Sequence, residues 1–315
     1  MTATMTPDET RQATPPRRRG DRVFAGLSRG AGLVILAALA GVFVFLTIEG
    51  IPGLSQPAST YAPSADFLSY VGPLVFGTIL AALLALVLAV PFAFGIALFI
   101  SHYAPRRLAT PVAYVVDLLA AVPSVVFGLW GARTLAPYLV SLHTWLAEHA
   151  SWIPFFKGPA SVTGRTIFTA GIVLAIMILP IITAISREIF AQTPRLNEEA
   201  ALALGATRWE MIRLTVFPYA RSGMVSAVML GLGRALGETM AVAMVLSASP
   251  VVTLNLISNT NPATVASNIA SSFSEATPAK LHVLIATGLV LFAFTFAVNF
   301  AARWVVGRSE RRMAR

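Results

Sequence analysis

Residues 71–100 read VGPLVFGTILAALLALVLAVPFAFGIALFI, thirty consecutive positions without one ionisable side chain. As a helix rising about 1.5 Å per residue, this run is longer than the roughly 30 Å of a bilayer's hydrocarbon core. Pro91 lies inside it, so the expected helix is a tilted or kinked span. The rest of the chain has the same character. Of 315 residues, 56% are hydrophobic and only 12% charged, whereas soluble domains carry about 25% charged residues. A water-soluble enzyme is thereby excluded. The absence of cysteine removes disulfide frameworks, thiolate catalysis and Cys-ligated metal sites.

Working outward, five further apolar runs are expected to be helical: Ala31–Ile48, a run from Pro111 past Asp117 and Pro123, Thr166–Ser186, Ser222–Ser249 and Leu281–Val306. The fold class that follows is an all-α membrane protein with six transmembrane helices. Ala31–Ile48 is longer than a secretory core and follows a long charged lead, so it reads as a retained signal anchor. Residues 1–30 read as a basic, flexible cytoplasmic tail, residues 71–306 as the core, and residues 307–315 as a second basic tail.

A net charge of +9 would suggest nucleic acid in a soluble domain. Here the arginines fall at the ends of apolar runs, the pattern of membrane orientation rather than of nucleic-acid binding. With the N-terminus inside, eighteen Lys and Arg residues lie on the cytoplasmic side and four outside, which places both termini in the cytoplasm. Residues 136–164, bearing Trp145, Trp152 and Pro154, are expected to form an external loop, and 49–70 and 250–280 to be wet external loops. The four histidines are scattered, without metal-ligand spacing. Asp117 reads as a solvated or capping carboxylate and Pro123 as a kink.

Two stretches carry more information. The first is the inside segment 187–221. Pro194 is placed to open a short helix with Glu198 and Glu199 at its positive end, Ala200, Ala201, Leu202 and Leu204 continue it, and Gly205 supplies a turn. Thr207 and Glu210 have capping-box spacing for a second short helix, which Pro218 is expected to end. Two helices projecting from the membrane with apolar residues uncovered make a docking knob for another protein.

The second is the run Gly231-Leu232-Gly233-Arg234-Ala235-Leu236-Gly237-Glu238 within the expected fifth span. A guanidinium near the bilayer midplane costs about 2.5–3.5 kcal/mol on insertion scales, so it must face water or a partner. Glu238, four positions on, is expected on the same face within pairing distance, and Gly231, Gly233 and Gly237 are expected to admit a neighbouring helix closely. The planar fork of Arg234 suits a tetrahedral oxyanion, and an adjacent carboxylate would keep the hold weak enough for release.

Both stretches carry a resemblance. Glu199-Ala200-Ala201, three residues, Gly205, nine residues and Thr215-Val216-Phe217-Pro218 resemble the coupling loop of ABC-importer permeases, with Thr215 and Phe217 departing from the usual Ile and Leu. Leu230 to Val242, together with Pro123 to Gly131, resembles phosphate ABC transporter permeases of the PstC type. The likeness implies a type I importer permease fold in a bacterial inner membrane, with Arg234 and Glu238 on the substrate path and Glu199, Ala200, Ala201, Gly205 and Pro218 in ATPase coupling. It implies a PstA-type second permease, two ATPase subunits and an external phosphate-binding protein. No G-x-x-x-x-G-K-[ST] loop is present, so this chain is expected to bind no cofactor and to leave ATP to a partner. Sulfate or molybdate permeases, the PstA-type subunit and an autonomous secondary transporter are the competing readings.

Overall fold

The computed structural model describes residues 19–313. Residues 1–18 of the expected N-terminal tail, and 314–315 of the C-terminal one, lie outside the described residues. Among the described residues the chain is helical, without a strand. The helices begin with α1 (Arg19–Gly50), α2 (Phe67–Leu98), α3 (Arg106–Ala120), α4 (Ser124–Trp130), α5 (Ala136–His149) and α6 (Ile167–Ala191). They are followed by α7 (Arg195–Ala203), α8 (Arg208–Met211), α9 (Phe217–Leu236), α10 (Met240–Val245), α11 (Val265–Ser272) and α12 (Pro278–Met313). Of the described residues, 19–45 and 46–313 fall in separate compact units. In the first, α1 already begins at Arg19, so residues 19–30 are helical rather than tail.

In the second unit α2 and α6 form the central pair. Asp66 starts α2 through a reciprocal cap with Ser69. Ala81, Ala85, Ala89, Ala93 and Ala97, one every four residues, are buried along a single stripe of α2. Small side chains at this spacing let two helix axes approach closely, which is how helices gain packing energy in lipid. Ile167, Leu174, Ile178 and Ile182 of α6 fill the same core. Opposite, α12 meets the turn at residues 51–54, where a Cβ on Gly53 would stand 2.2 Å from the His282 carbonyl oxygen.

Several expected boundaries move. The third apolar run is broken: α3 stops at Ala120, Pro123 caps α4, and the helix then continues through a π turn (Gly131–Leu135) into α5. Residues 136–149, expected as external loop, are therefore helical, because no breaker lies inside the stretch and Pro137 falls in the first turn of α5. The last helix likewise runs on through the expected basic tail to Met313. Among the described residues, five helical stretches, 22–54, 67–103, 124–149, 167–191 and 278–304, are long and apolar enough to cross a membrane. The expected fifth span does not form one continuous helix, since α9 ends at Leu236 and α10 begins at Met240.

Of the segment 250–280, expected as a wet loop, the middle part, 255–267, is folded into the bundle, while its two ends are largely exposed. Asn255, Ile257, Ser258 and Asn261 are buried. The Asn261 carboxamide accepts from the Ile167 N–H at 3.1 Å and donates to the Asn255 carbonyl at 2.6 Å. Val265 N–H donates to Thr78 Oγ1 inside α2. The approach is so close that a Cβ on Gly77 would lie 2.5 Å from the Ala263 carbonyl oxygen. The Asn, Ser and Thr that make the segment look solvated instead satisfy backbone groups that enter the apolar interior with them.

Candidate functional site

The knob at residues 194–218 is built by local chemistry. Pro194 precedes α7, where its missing N–H costs nothing, and Glu198 lies in the first turn. At the other end the N–H of Gly205 donates to the Leu202 carbonyl at 3.0 Å and that of Ala206 to Ala201 at 3.2 Å. This is the Schellman closure, and it holds Gly205 at φ +88°. Thr207 then caps α8: its hydroxyl accepts from the Glu210 N–H, while the Glu210 carboxylate accepts from the Thr207 N–H at 2.7 Å. The Thr207 hydroxyl also donates to the Glu210 carboxylate at 2.8 Å, and the two bonds that carboxylate accepts, from the Thr207 N–H first and the hydroxyl second, hold the Glu210 carboxyl below its ordinary value.

Pro218 does not end the second helix. The chain passes from α8 through a π turn (Ile212–Val216) into α9, with Pro218 in the first turn of α9. The wide turn closes with the Phe217 N–H on the Ile212 carbonyl, leaving Pro218 at a position that needs no donor. The knob and α9 are thus one mechanical piece. Leu196, Leu204 and Trp209 stand exposed on it, Leu204 at 90%. Glu199 and Ala200 are exposed, Ala201 packs against the cluster of Phe190, Met211 and Ile212, and Ala200, Ala201 and Gly205 border a shallow hollow. His102, in the π turn (Phe99–Tyr103) that follows α2, reaches Glu198 at 3.4 Å.

Asp117 is exposed, as a solvated carboxylate should be, and is also paired: both its carboxylate oxygens accept from Arg187 Nη2, at 3.0 and 2.9 Å, linking α3 to the last turns of α6. The spacing of seventy residues hides this contact from any local reading.

Within the bundle, the expected Arg234–Glu238 pair is absent. Among the described residues the ion pairs are His102–Glu198, Arg187–Asp117 and His282–Glu49. The i, i+4 rule needs an unbroken helix, and this one stops at Leu236 between the two residues. Glu238 is buried, and its carboxylate accepts from the Ala241 N–H at 3.2 Å, capping α10. Arg234 is exposed on α9 and lines a cavity of about 820 Å³ between α6, α9 and α12. Of the three glycines, Gly231 takes the close approach, with a Cβ there falling 2.7 Å from Ile182 Cδ1 of α6. Gly233 faces open space and Gly237, at the helix break, meets only the backbone of its own chain, so neither admits a neighbouring helix.

A helical membrane bundle with a projecting two-helix knob rigidly joined to a cavity-lining helix is the architecture of a transport permease. The chain belongs to the family of binding-protein-dependent transport system inner membrane components, which matches residues 89–315. Among curated relatives, "Phosphate transport system permease protein PstC 2" of Mycobacterium tuberculosis is 49% identical, over 93% of this chain and 93% of the relative. "Phosphate transport system permease protein PstC" of Xylella fastidiosa is 39% identical over 99% of both chains. Among solved structures, a bacterial ABC transporter involved in the import of the acidic polysaccharide alginate covers 91% of this chain and 99% of its own at a TM-score of 0.51 and 17% identity. The MetNI methionine ABC transporter in an inward-facing conformation reaches 0.51 at 15% identity, covering 76% of this chain and 93% of its own. These two support the fold, that of an ABC-importer permease.

Proposed function

We propose that this chain is the membrane permease subunit of an ATP-driven phosphate importer. The carrying observation is Arg234, a guanidinium without an ion-pair partner among the described residues, aimed into a cavity between membrane helices. The names of its relatives supply the anion: the likeness to PstC permeases extends over nearly the whole chain. A permanently charged planar fork engages a tetrahedral oxyanion bidentately, and a path lined by it attracts anions.

In this reading the partner permease, of the PstA type, covers the open side of the cavity. Two ATPase subunits seat the α7–α8 knob, and ATP is bound by them. An external phosphate-binding protein delivers inorganic phosphate, and the complex lies in the bacterial inner membrane. The fifth of six crossings is made jointly by α9 and α10, and both termini face the cytoplasm. When the ATPases close, the knob moves with α9, which carries Arg234 at its far end. Glu238 then serves as the cap on which the α9–α10 hinge turns, and the carboxylate stays out of the oxyanion's contacts.

The test is labelled-phosphate uptake at micromolar concentration in cells lacking this chain, complemented with wild type or Arg234→Gln. Rescue by wild type, together with failure of a variant that still inserts and assembles, is expected. Full uptake by Arg234→Gln would sink the assignment of the path, and uptake indifferent to deletion of the chain would sink the choice of anion.

A further inference from the structure

The cavity that Arg234 lines has a second cationic wall. From α12 it is lined by Asn299, Ala302, Arg303 and Gly307, whose spacing puts them on one helical face. From α9 the facing stripe includes Ser226 and Arg234, about 12 Å apart along the helix at 1.5 Å per residue. Two arginines thus line one cavity, and among the described residues that line it there is no carboxylate. Arg303, like Arg234, has no ion pair among the described residues. Its neighbour Arg308 is differently engaged, lying over the Trp304 ring at 5.2 Å. Like charges facing one space repel, and in a site bounded by membrane helices that repulsion is relieved by a multivalent anion between them. Gly233 and Gly307 meet nothing within 4 Å of a Cβ position, so small residues keep the space between the two arginines clear.

We propose that Arg303, assisted by the Asn299 carboxamide, is a second oxyanion contact. It receives phosphate from Arg234 and passes it to the cytoplasmic mouth of the path. This rests on the proposed function above and adds residues to it. Asn299 already donates one amide hydrogen to the Thr295 carbonyl at 2.9 Å, which orients the group and leaves its other hydrogen for the anion. Two contacts in series let the ion exchange one charge-assisted bond for another, so neither must be broken outright. A phosphate headgroup of a lipid offers the same oxygens, and the experiment separates the two sources.

The complete transporter is reconstituted in proteoliposomes, and ATP-driven uptake of labelled phosphate is compared for wild type, Arg234→Gln, Arg303→Gln, Arg303→Lys and Asn299→Ala. It is run in neutral vesicles and in vesicles containing anionic lipid. Arg234→Gln is expected to abolish uptake. Arg303→Gln should lower the maximal rate about tenfold, the scale of one lost charge-assisted bond. The concentration of loaded binding protein giving half-maximal uptake should stay unchanged, because capture precedes exit. Arg303→Lys keeps the charge but not the fork and should fall between, and Asn299→Ala should lower the rate less. The deficits should be equal in both kinds of vesicle. Wild-type rates for Arg303→Gln beside a dead Arg234→Gln would overturn the proposal while leaving the proposed function intact. A deficit present in only one lipid composition would also overturn it, making Arg303 a headgroup anchor. Wild-type rates for both arginine variants would overturn the proposed function itself. Should Arg303→Gln fail to assemble, Arg303→Lys and Asn299→Ala decide: wild-type rates for both would refute the proposal.

Discussion

Gly205 is the point at which the docking knob is most open to a clean perturbation. It holds φ +88°, and a Cβ built there meets nothing within 4 Å. A substitution therefore costs backbone strain and no steric overlap. For alanine that strain is about 1–2 kcal/mol, a factor of roughly 5–30 in the population of the closed turn. Asparagine tolerates the left-handed region better, and a β-branched residue tolerates it worst. The ordering Gly205→Asn, then Ala, then Val should appear in hydrogen exchange at the amides of Gly205 or its replacement and of Ala206, the two donors of the Schellman closure. It should appear again, in the same order, as loss of ATPase stimulation by loaded binding protein in the purified transporter. The Schellman account fails if the Val variant protects Ala206 as well as Asn does. If exchange follows the order while ATPase stimulation does not, the turn is strained as described and the knob has no part in coupling.

Two further outcomes are expected. Asn261→Ala removes the acceptor of the buried Ile167 N–H and the donor to the Asn255 carbonyl. An unmet buried backbone group costs about 1–3 kcal/mol, so the thermal midpoint in detergent should fall, and a midpoint at the wild-type value would show that this segment is not anchored by Asn261. The Glu210 carboxyl titrates below its ordinary 4.5, so the capping box is complete at neutral pH and is lost as pH drops through that lowered value. Protection of the α8 amides, corrected for intrinsic exchange, should stay flat above 4.5 and decline below it, and Glu210→Gln should remove the dependence. A decline beginning near neutral pH in the wild type would contradict this.

Much of the knob was legible because its causes are local. Pro194, the Gly205 turn and the Thr207–Glu210 box are each settled by groups within about five residues of one another, and the structure places each of them as its chemistry requires. The intramembrane motif was legible in composition and misleading in geometry. Arg234 and Glu238 have pairing distance only if the helix continues, and it stops at Leu236, between them. Asp117–Arg187 was beyond reach for the complementary reason, since seventy residues separate the partners.

The sequence by itself determined the solvent this protein folds in, the all-helical class that follows from satisfying backbone groups in lipid, and the local caps and turns. Tertiary packing decided where α9 gives way to α10, which polar segment is drawn inside by Asn261 and Thr78, and which faces of α9 and α12 look into a common cavity. The division has one physical cause. A cap or an apolar run is set by neighbours along the chain, whereas the rotation of a uniformly apolar helix about its own axis is set by the helices that pack against it.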